Sequence, residues 1–484
     1  MAEKFDYDMV VIGGGPGGQK AAIQAAKLRK RVALVDVNPF IGGVCLHDGT
    51  IPSKSFREAI LHLSGFRERF HYGKAYRVKQ NVQMNDLTNR CRGIVNDIEQ
   101  TIRSQMLRNH VDLVKGFGSI VDANHVRVTD ENHERTLSTE FVVIGTGTRP
   151  RRPPGFQFDE TTILDSDNIL HMSQLPSTLT VVGGGVIGSE YGSMFAALDV
   201  KVTIVEAQDS ILGFLDREIV ENLVYKLRDL KATIITNDKV VSCGTCPDGR
   251  AVTYLESGKR IVSEKLLVSA GRVCNIEGLN LDVVSVEHDE RGRIKVNEHY
   301  QTTCPNIYAV GDIIGFPALA ATSLEQGRRA SCHAFGLRDS SPDMPLPFGI
   351  FTVPEIGMVG KTEQQLSAEH VPYEVGVARF SEIEKGKIIG DDTGFLKIIF
   401  HRNTLEILGV HIIGHEATEL VHIGQIVMGS QRTGGVEFLA NNIFNYPSLA
   451  QAYKVAALDG LNKVIATQDL PDEVPKAEYD DNLN

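Results

Sequence analysis

The chain lacks any stretch near the ~18 consecutive apolar residues that a membrane-crossing helix needs, so no part of its 484 residues reads as a membrane span. Cysteine is scarce. There are seven, an odd number and too few for a disulfide framework, which points to a reduced, cytoplasmic setting. Positive charge is outnumbered: 50 Lys and Arg face 61 Asp and Glu, a net charge of −11. That balance speaks against a nucleic-acid surface and against docking on anionic membrane. The opening MAEKFDYD is polar, with neither the apolar core of a signal peptide nor an Arg-rich transit pattern. No G-x-S-x-G elbow occurs, which leaves serine-hydrolase chemistry without support. Tryptophan is absent altogether. Glycine is what is plentiful, 46 residues, and it is clustered rather than spread. With 42% hydrophobic and 23% charged residues the composition is that of an ordinary globular chain, and the length suggests about three domains.

The first glycine cluster follows a short apolar run. Met9 to Ile12 reads as a buried strand, enters Gly13-x-Gly15-x-x-Gly18, and gives way to the helix-like QKAAIQAAKL; Val32 to Val35 reads as a second strand ending at Asp36. This is a βαβ dinucleotide fingerprint. The first glycine makes the tight turn, the second lets backbone approach a pyrophosphate, and the third lets helix and strand pack closely. The helix N-terminus supplies N–H donors, and Asp36 suits a pair of ribose hydroxyls. The pattern recurs. LTVV runs into Gly183-x-Gly185-x-x-Gly188, SEYGSMFAAL reads as helix, and KVTIV reads as a strand ending at Glu206. The offset from first glycine to carboxylate, 13 to 36 and 183 to 206, is the same in both. One G-x-G-x-x-G is a weak signal, but two with matching flanks and offsets are a strong one. They imply two dinucleotides in one chain, a nicotinamide in one site able to reduce a flavin in the other. FVVIGTGTRP (141–150), KLLVSAGRV (265–273) and NIYAVGD (306–312) read as further strands ending in turns, as a chain returning to an interrupted sheet requires.

The segment GGVCLHDGTIPSK (42–54) resembles the flavin-side signature of the pyridine nucleotide–disulfide oxidoreductases, the family of lipoamide dehydrogenase and glutathione reductase. TGTRP, SAGR and YAVGDIIG follow in the same order, and the likeness extends from about residue 5 to residue 465. It implies an α/β protein with two Rossmann-like dinucleotide-binding domains and an α+β C-terminal dimerisation domain. The expected division is an FAD-binding domain from 1–148 and a return segment 276–345, an inserted NAD(P)-binding domain at 149–275, and a dimerisation domain at 346–468. An acidic, Pro-containing tail at 469–484 is expected to be disordered. The partners implied are nicotinamide dinucleotides and a second copy of the chain, as a homodimer or a multiple of it.

Residue roles follow from the same resemblance. Gly13, Gly15, Gly18 and Asp36 would hold the ADP half of FAD, with Gly43, Cys45, Gly118, Thr146 and Gly147 lining the site. Asp312 would bond the ribityl–pyrophosphate region, and Ala320 and Ala321 would approach the flavin at a helix start. Gly183, Gly185, Gly188, Glu206 and Gly271 would hold NAD or NADP. Lys54, on the helix after IPS, would place a cation near the flavin N5 edge. Glu190 would pair with Lys54 and position the nicotinamide, and Thr50 would stand beside the flavin ring.

The departures from the family pattern carry as much as the match. Dithiol members have C-x4-C beside the flavin; here Cys45 is followed five residues on by Thr50, and a thiol and a hydroxyl cannot form a disulfide. Dithiol members also carry a C-terminal His-Pro and a Glu, where NYPSLAQAY (445–453) puts Tyr446 and Gln451. A phenol of pKa near ~10 does not replace imidazole as an acid-base at neutral pH. With both halves of the dithiol machinery missing together, the pattern resembles the family's flavin-dependent transhydrogenase branch, which passes hydride from NADPH to NAD through one pocket by a ping-pong route. Two other readings stay open: a diaphorase or oxidase that passes electrons to quinone or oxygen, and a non-catalytic lipoamide-dehydrogenase-like binding subunit.

Several tempting features read as structural. Cys45 alone reads as a leftover small buried side chain. Cys243-Gly-Thr-Cys246 falls where two strand-like runs meet a turn, not at a helix start, and no second Cys/His pair accompanies it. His411, His415 and His422 span a strand end and a Gly turn and read as core and interface residues, so no metal site is expected. After about residue 346, EVGVARFSE, TGFLKIIF and LGVHIIG read as strands, and ATELVHIGQIVMGS and LAQAYKVAALDGLNKV as helices. Glu206 favours NAD, because a carboxylate there accepts from a ribose 2′-OH and repels a 2′-phosphate. Ala207, Gln208 and Asp209 add no cation, and Arg272 is a distant candidate for the phosphate.

Overall fold

The computed structural model describes residues 5–73, 75–338, 345–430 and 435–466; the tail expected at 469–484 lies outside them. The chain forms two compact units. One takes Met1–Phe66, Ala75–Leu212 and Leu227–Ser341, and the other Arg67–Lys74, Gly213–Lys226 and Pro342–Asn484.

Two parallel sheets of the same design build the first unit. In one, the strands run Val111–Lys115, Val32–Asp36, Tyr7–Ile12, the C-terminal half of Glu134–Ile144, then Ile307–Ala309. In the other, they run Thr233–Ile235, Lys201–Val205, Thr178–Val182, Lys265–Val268, Ile163–Leu164. In each, the strand that opens the fingerprint is central, and the order reverses beside it. That reversal leaves a crevice at the strands' C-terminal ends, where an open α/β sheet takes its ligand. The apolar runs are continuous because both faces are covered: Val10, Ile12, Ala33 and Val35 pack into one core layer, and Met9, Val11, Val32 and Leu34 into the other.

Glu134–Ile144 is longer than its apolar half implies. Its polar start pairs antiparallel with His125–Thr129, which pairs in turn with Phe117–Asp122. A second antiparallel set, Val240–Thr245, Ala251–Leu255 and Arg260–Ser263, accompanies the second sheet. Cys243 and Cys246 lie on the first of these hairpins, as the turn chemistry implied. Cys243 is buried, its thiol pushed up to about 11 by burial, and all seven cysteines are free. Helix Met84–Arg108, whose long polar face matches none of the motifs, packs against helix Thr50–Leu63.

The second unit is an antiparallel sheet in the order Pro347–Ile350, Ile356–Gly360, Ile407–Ile413, Phe395–His401, Tyr373–Arg379. The three expected strands are the last three. The other two, in PFGIFTVPEIGMVG, were hidden by Pro and Gly breaking the apolar alternation. Helices Ala417–Gly429 and Gln451–Ala466 cover the sheet, and the Tyr453 hydroxyl ties them by donating to the Leu420 carbonyl. His411 is wholly buried on its strand, His415 sits in a turn and His422 is exposed on a helix. Among the described residues these three form no ligand set.

Lys397 is fully buried in this unit. Its ammonium donates to Asp216 (2.9 Å), to Glu218 (3.0 Å) and to Glu363. Those three acids come close enough together to share a cation, and lysine is the cation they have. Burial opposes the Lys397 charge, but Asp216, Glu363 and Glu218 carry its pKa above 10.5. Burial raises the Asp216 carboxyl, but the His411 ring, Lys397 and the Glu363 N–H bring it below 3.8. The Asp216 contribution is therefore present above pH 3.8 and lost as pH falls through its lowered value. The Lys397 contribution is complete below pH 10.5 and lost as pH rises through its raised value. Lys397→Met removes the counter-charge from a buried carboxylate, and the expected loss is about 3 kcal/mol or more. Thermal unfolding of the variant across pH 3 to 8 checks this: the loss should be large at pH 7 and shrink towards pH 3.

Candidate active site

The two glycine turns repeat the same set of contacts. Gly13 and Gly183 turn the chain at φ +107° and +97°, and a Cβ on either would fall 2.3 Å from the Gly145 carbonyl or 2.6 Å from that of Ser269. A Cβ on Gly18 would sit 1.9 Å from the Gly13 carbonyl, and one on Gly188 1.9 Å from that of Gly183. Gly15 and Gly185 face open space, with no atom within 4 Å of such a Cβ. Each caps a helix, Pro16–Lys27 and Val186–Ala197, whose first N–H groups have no partner within the helix. This is a concave, donor-lined surface that a pyrophosphate fits and a side chain would block.

The carboxylates that close the cradles are fixed in the same way. The Gly14 N–H donates to Asp36 at 2.6 Å and the Asn38 N–H at 2.8 Å; the Gly184 N–H donates to Glu206 at 2.6 Å and the Gln208 N–H at 2.9 Å. Each oxygen keeps a further lone pair for a ribose hydroxyl. Burial raises the Asp36 carboxyl, opposed by those two N–H groups. Gln19 and Ser189, at one offset in both repeats, each donate to the carbonyl of the middle glycine, Gly14 or Gly184. Only a comparison of the two repeats would have singled these two residues out.

Helix Thr50–Leu63 begins at Thr50, so IPSK lies inside it rather than before it, and Lys54 is in its second turn. The Lys54 ammonium donates to Glu190 on Val186–Ala197 at 2.7 Å, joining an element of the first βαβ side to the helix of the second. Glu190 is buried, and Lys54 keeps about a quarter of its side chain exposed, 24%. Cys45 lies on the short helix Gly43–His47. Burial pushes its thiol up; a hydrogen bond with Thr50 and the charge of Lys54 lower it, and Asp312 raises it. Cys45 thus feels Thr50, Lys54 and Asp312, and Lys54 ties Glu190 to the same neighbourhood.

The other residues surround this neighbourhood. Gly118 packs on Ile12 and Val35 at the end of the first sheet, Gly147 faces open space, and Gly43 lies against Gly15. The Thr146 hydroxyl donates to the Asn275 carbonyl at 2.9 Å, and the Asn275 amide returns a bond to Thr146 at 3.0 Å. Gly271, at φ +96°, faces open space. Asp312 sits in the turn after Ile307–Ala309, and Ala320, followed by Ala321, starts helix Ala320–Ala334. That helix touches Pro16–Lys27 where Gly17 and Gly327 meet, a glycine contact the fingerprint does not predict. Arg272 is not open to a distant phosphate: Thr148, Ser166 and Asp167 hold it.

Fold and site together define a two-dinucleotide oxidoreductase scaffold, with a Lys–Glu pair joining its halves. Residues 7–327 match the pyridine nucleotide-disulphide oxidoreductase family and residues 346–457 its dimerisation domain; the chain belongs to this family. It is 49% identical over 463 residues to a soluble pyridine nucleotide transhydrogenase of Mycobacterium tuberculosis, covering 95% of this chain and 98% of that one. To the soluble pyridine nucleotide transhydrogenase of Shigella boydii it is 41% identical over 470 residues, covering 96% and 100%. Among solved structures, LpdA from Mycobacterium tuberculosis matches with a TM-score of 0.85 at 26% identity, over 93% of this chain and 99% of that one.

Proposed function

We infer that this protein is a flavin-dependent transhydrogenase that moves hydride between NADPH and NAD. The observation that carries the reading is Thr50, a hydroxyl five residues after Cys45 where a dithiol needs sulfur, beside an intact Lys54–Glu190 pair. A hydride pocket has been kept where a disulfide outlet has not. The alternative of a non-catalytic subunit has no use for that pair.

Gly13, Gly15, Gly18 and Asp36 would hold FAD in the first cradle, where the flavin would supply the carrier of hydride between nicotinamides. The chain supplies position and charge. Lys54 presents a cation where negative charge develops on the carrier. Glu190, anchored by Lys54, would offer an acceptor to the nicotinamide carboxamide and so orient the nucleotide. Gly183, Gly185, Gly188 and Glu206 hold the adenosine half of either nucleotide, and Gly271 lets its chain pass. On this reading 1–148 with 276–345 form the FAD domain, 149–275 the NAD(P) domain and 346–468 the dimerisation domain of a homodimer. We place the protein in the cytoplasm on its seven free thiols; among the described residues no helix is long and apolar enough to cross a membrane.

One pocket serving both nucleotides predicts ping-pong kinetics. Initial rates with NADPH and NAD varied together should give parallel double-reciprocal lines, with each nucleotide inhibiting competitively at high concentration. Intersecting lines, or equal NADPH loss in air without NAD, would favour a ternary complex or an oxidase. The cradle glycines give a separate check. Gly185→Ala adds a methyl into open space, so the expected result is unchanged stability with a raised KM for both nucleotides. Gly188→Ala puts a Cβ 1.9 Å from the Gly183 carbonyl, so that variant should retain FAD while losing nucleotide-driven bleaching of the flavin band.

A further inference from the structure

Two crossings join the dinucleotide halves of the first unit. The chain leaves through Thr148–Pro150 and returns through Arg272–Cys274, and these strands pair antiparallel with Arg272 opposite Pro150 and Cys274 opposite Thr148. Arg272 clasps this ribbon from one side. Its Nε donates to the Thr148 hydroxyl at 2.8 Å and its Nη2 to the Thr148 carbonyl at 2.8 Å. Its Nη1 reaches the Ser166 hydroxyl at 3.4 Å and lies 3.5 Å from the Asp167 carboxylate, both just beyond strand Ile163–Leu164 of the second sheet. The Thr148 hydroxyl, already accepting from Arg272, spends its one proton on Asp312 at 3.3 Å. The result is a line of contacts, Asp312–Thr148–Arg272–Asp167, from the turn after the last strand of the first sheet to the second sheet. Burial raises both Asp312 and Asp167, and the guanidinium is the leading influence that lowers each.

We propose that Arg272 is a positioning residue for hydride transfer: through its forked contact to Thr148 and its hold on Ser166 and Asp167, it fixes the Asp312 carboxylate and the two dinucleotide halves in one register. This rests on the transhydrogenase reading only in naming the reaction. The fork suits arginine in particular. Lysine would keep the charge, but a point charge cannot bond both Thr148 oxygens and reach Ser166 at the same time.

The test uses the flavin-loaded enzyme under anaerobic conditions and three variants, Arg272→Gln, Arg272→Lys and Thr148→Val. Two quantities are measured: the midpoint potential of the bound flavin, and the limiting rate and nucleotide dissociation constant for bleaching by NADPH. Arg272→Gln should lower both the potential and the limiting rate, the rate by about 10- to 100-fold, as expected for misplacement of reacting groups, with nucleotide affinity nearly unchanged. Arg272→Lys should restore the potential and leave the rate low. Thr148→Val, which keeps the contact of Arg272 to the carbonyl but removes the hydroxyl that accepts from its Nε and donates to Asp312, should shift the potential in the same direction by less. A normal rate and potential in Arg272→Gln would overturn the proposal. So would an effect confined to the nucleotide dissociation constant, which would make Arg272 a binding residue. Loss of the potential shift on Thr148→Val would remove Asp312 from the line. Failure of NAD to restore the flavin band in the unaltered enzyme would instead strike the transhydrogenase reading and leave these comparisons standing.

Discussion

Lys54→Met is expected to slow bleaching of the flavin band by NADPH by about 100- to 1,000-fold, the loss seen when one preorganised electrostatic group is removed from a reacting centre. Two effects add. The cation that we propose stands beside developing negative charge is gone, and Glu190 loses the partner 2.7 Å away that fixes its direction. The protein should still fold. Lys54 is partly exposed, so the pair costs less to break than the ~3–5 kcal/mol of a fully buried one. Glu190→Gln separates the effects: it keeps an acceptor for the carboxamide and leaves the Lys54 charge in place, so its loss should fall mainly on nucleotide KM. Stopped-flow bleaching at saturating NADPH is the measurement. A rate within threefold of the unaltered enzyme would show that Lys54 is a surface cation of the helix and no part of the chemistry.

Glu206→Arg is expected to raise the ratio of kcat/KM for NADPH over NADH by about 10- to 100-fold, from gains of roughly 1.5–3 kcal/mol per charged hydrogen bond. The carboxylate is tied at both oxygens, to the Gly184 and Gln208 N–H groups, so it cannot swing away from a 2′-phosphate. Arg272, a distant cation that the sequence offered as a candidate, is held by Thr148, Ser166 and Asp167. NADPH is thus used against an unfavourable charge, and its KM should exceed that of NADH. Steady-state constants for both nucleotides settle the point, and an unchanged ratio would mean that Glu206 is not the selector.

These two residues also show which parts of the site the sequence made legible. Glu206 was readable because the cradle is local: strand, glycines, helix and carboxylate fall within one βαβ unit, and a second copy repeats the spacing. Lys54–Glu190 joins residues 136 apart, so spacing alone could not pair them, and only the family resemblance did. The Arg272 line was not legible at all. Its partners lie 106 and 124 residues away, and a Thr and a Ser beside turns carry no pattern. Lys397 hid for a related reason. In TGFLKIIF a lysine reads as the solvent-facing member of a strand, whereas here both faces are covered and the charge is met by acids from distant segments. Apolar periodicity reports burial of apolar side chains and is silent on a buried charge whose partners arrive from elsewhere in the chain.

The most direct test of hydride passage through one flavin pocket is an anaerobic titration of the yellow protein. NADPH is added until the flavin band is bleached, the nucleotide is removed, and NAD is then supplied. The account predicts full recovery of the band with one NADH formed per flavin. A bleached band that NAD leaves unchanged, and that only oxygen or a quinone restores, would contradict it.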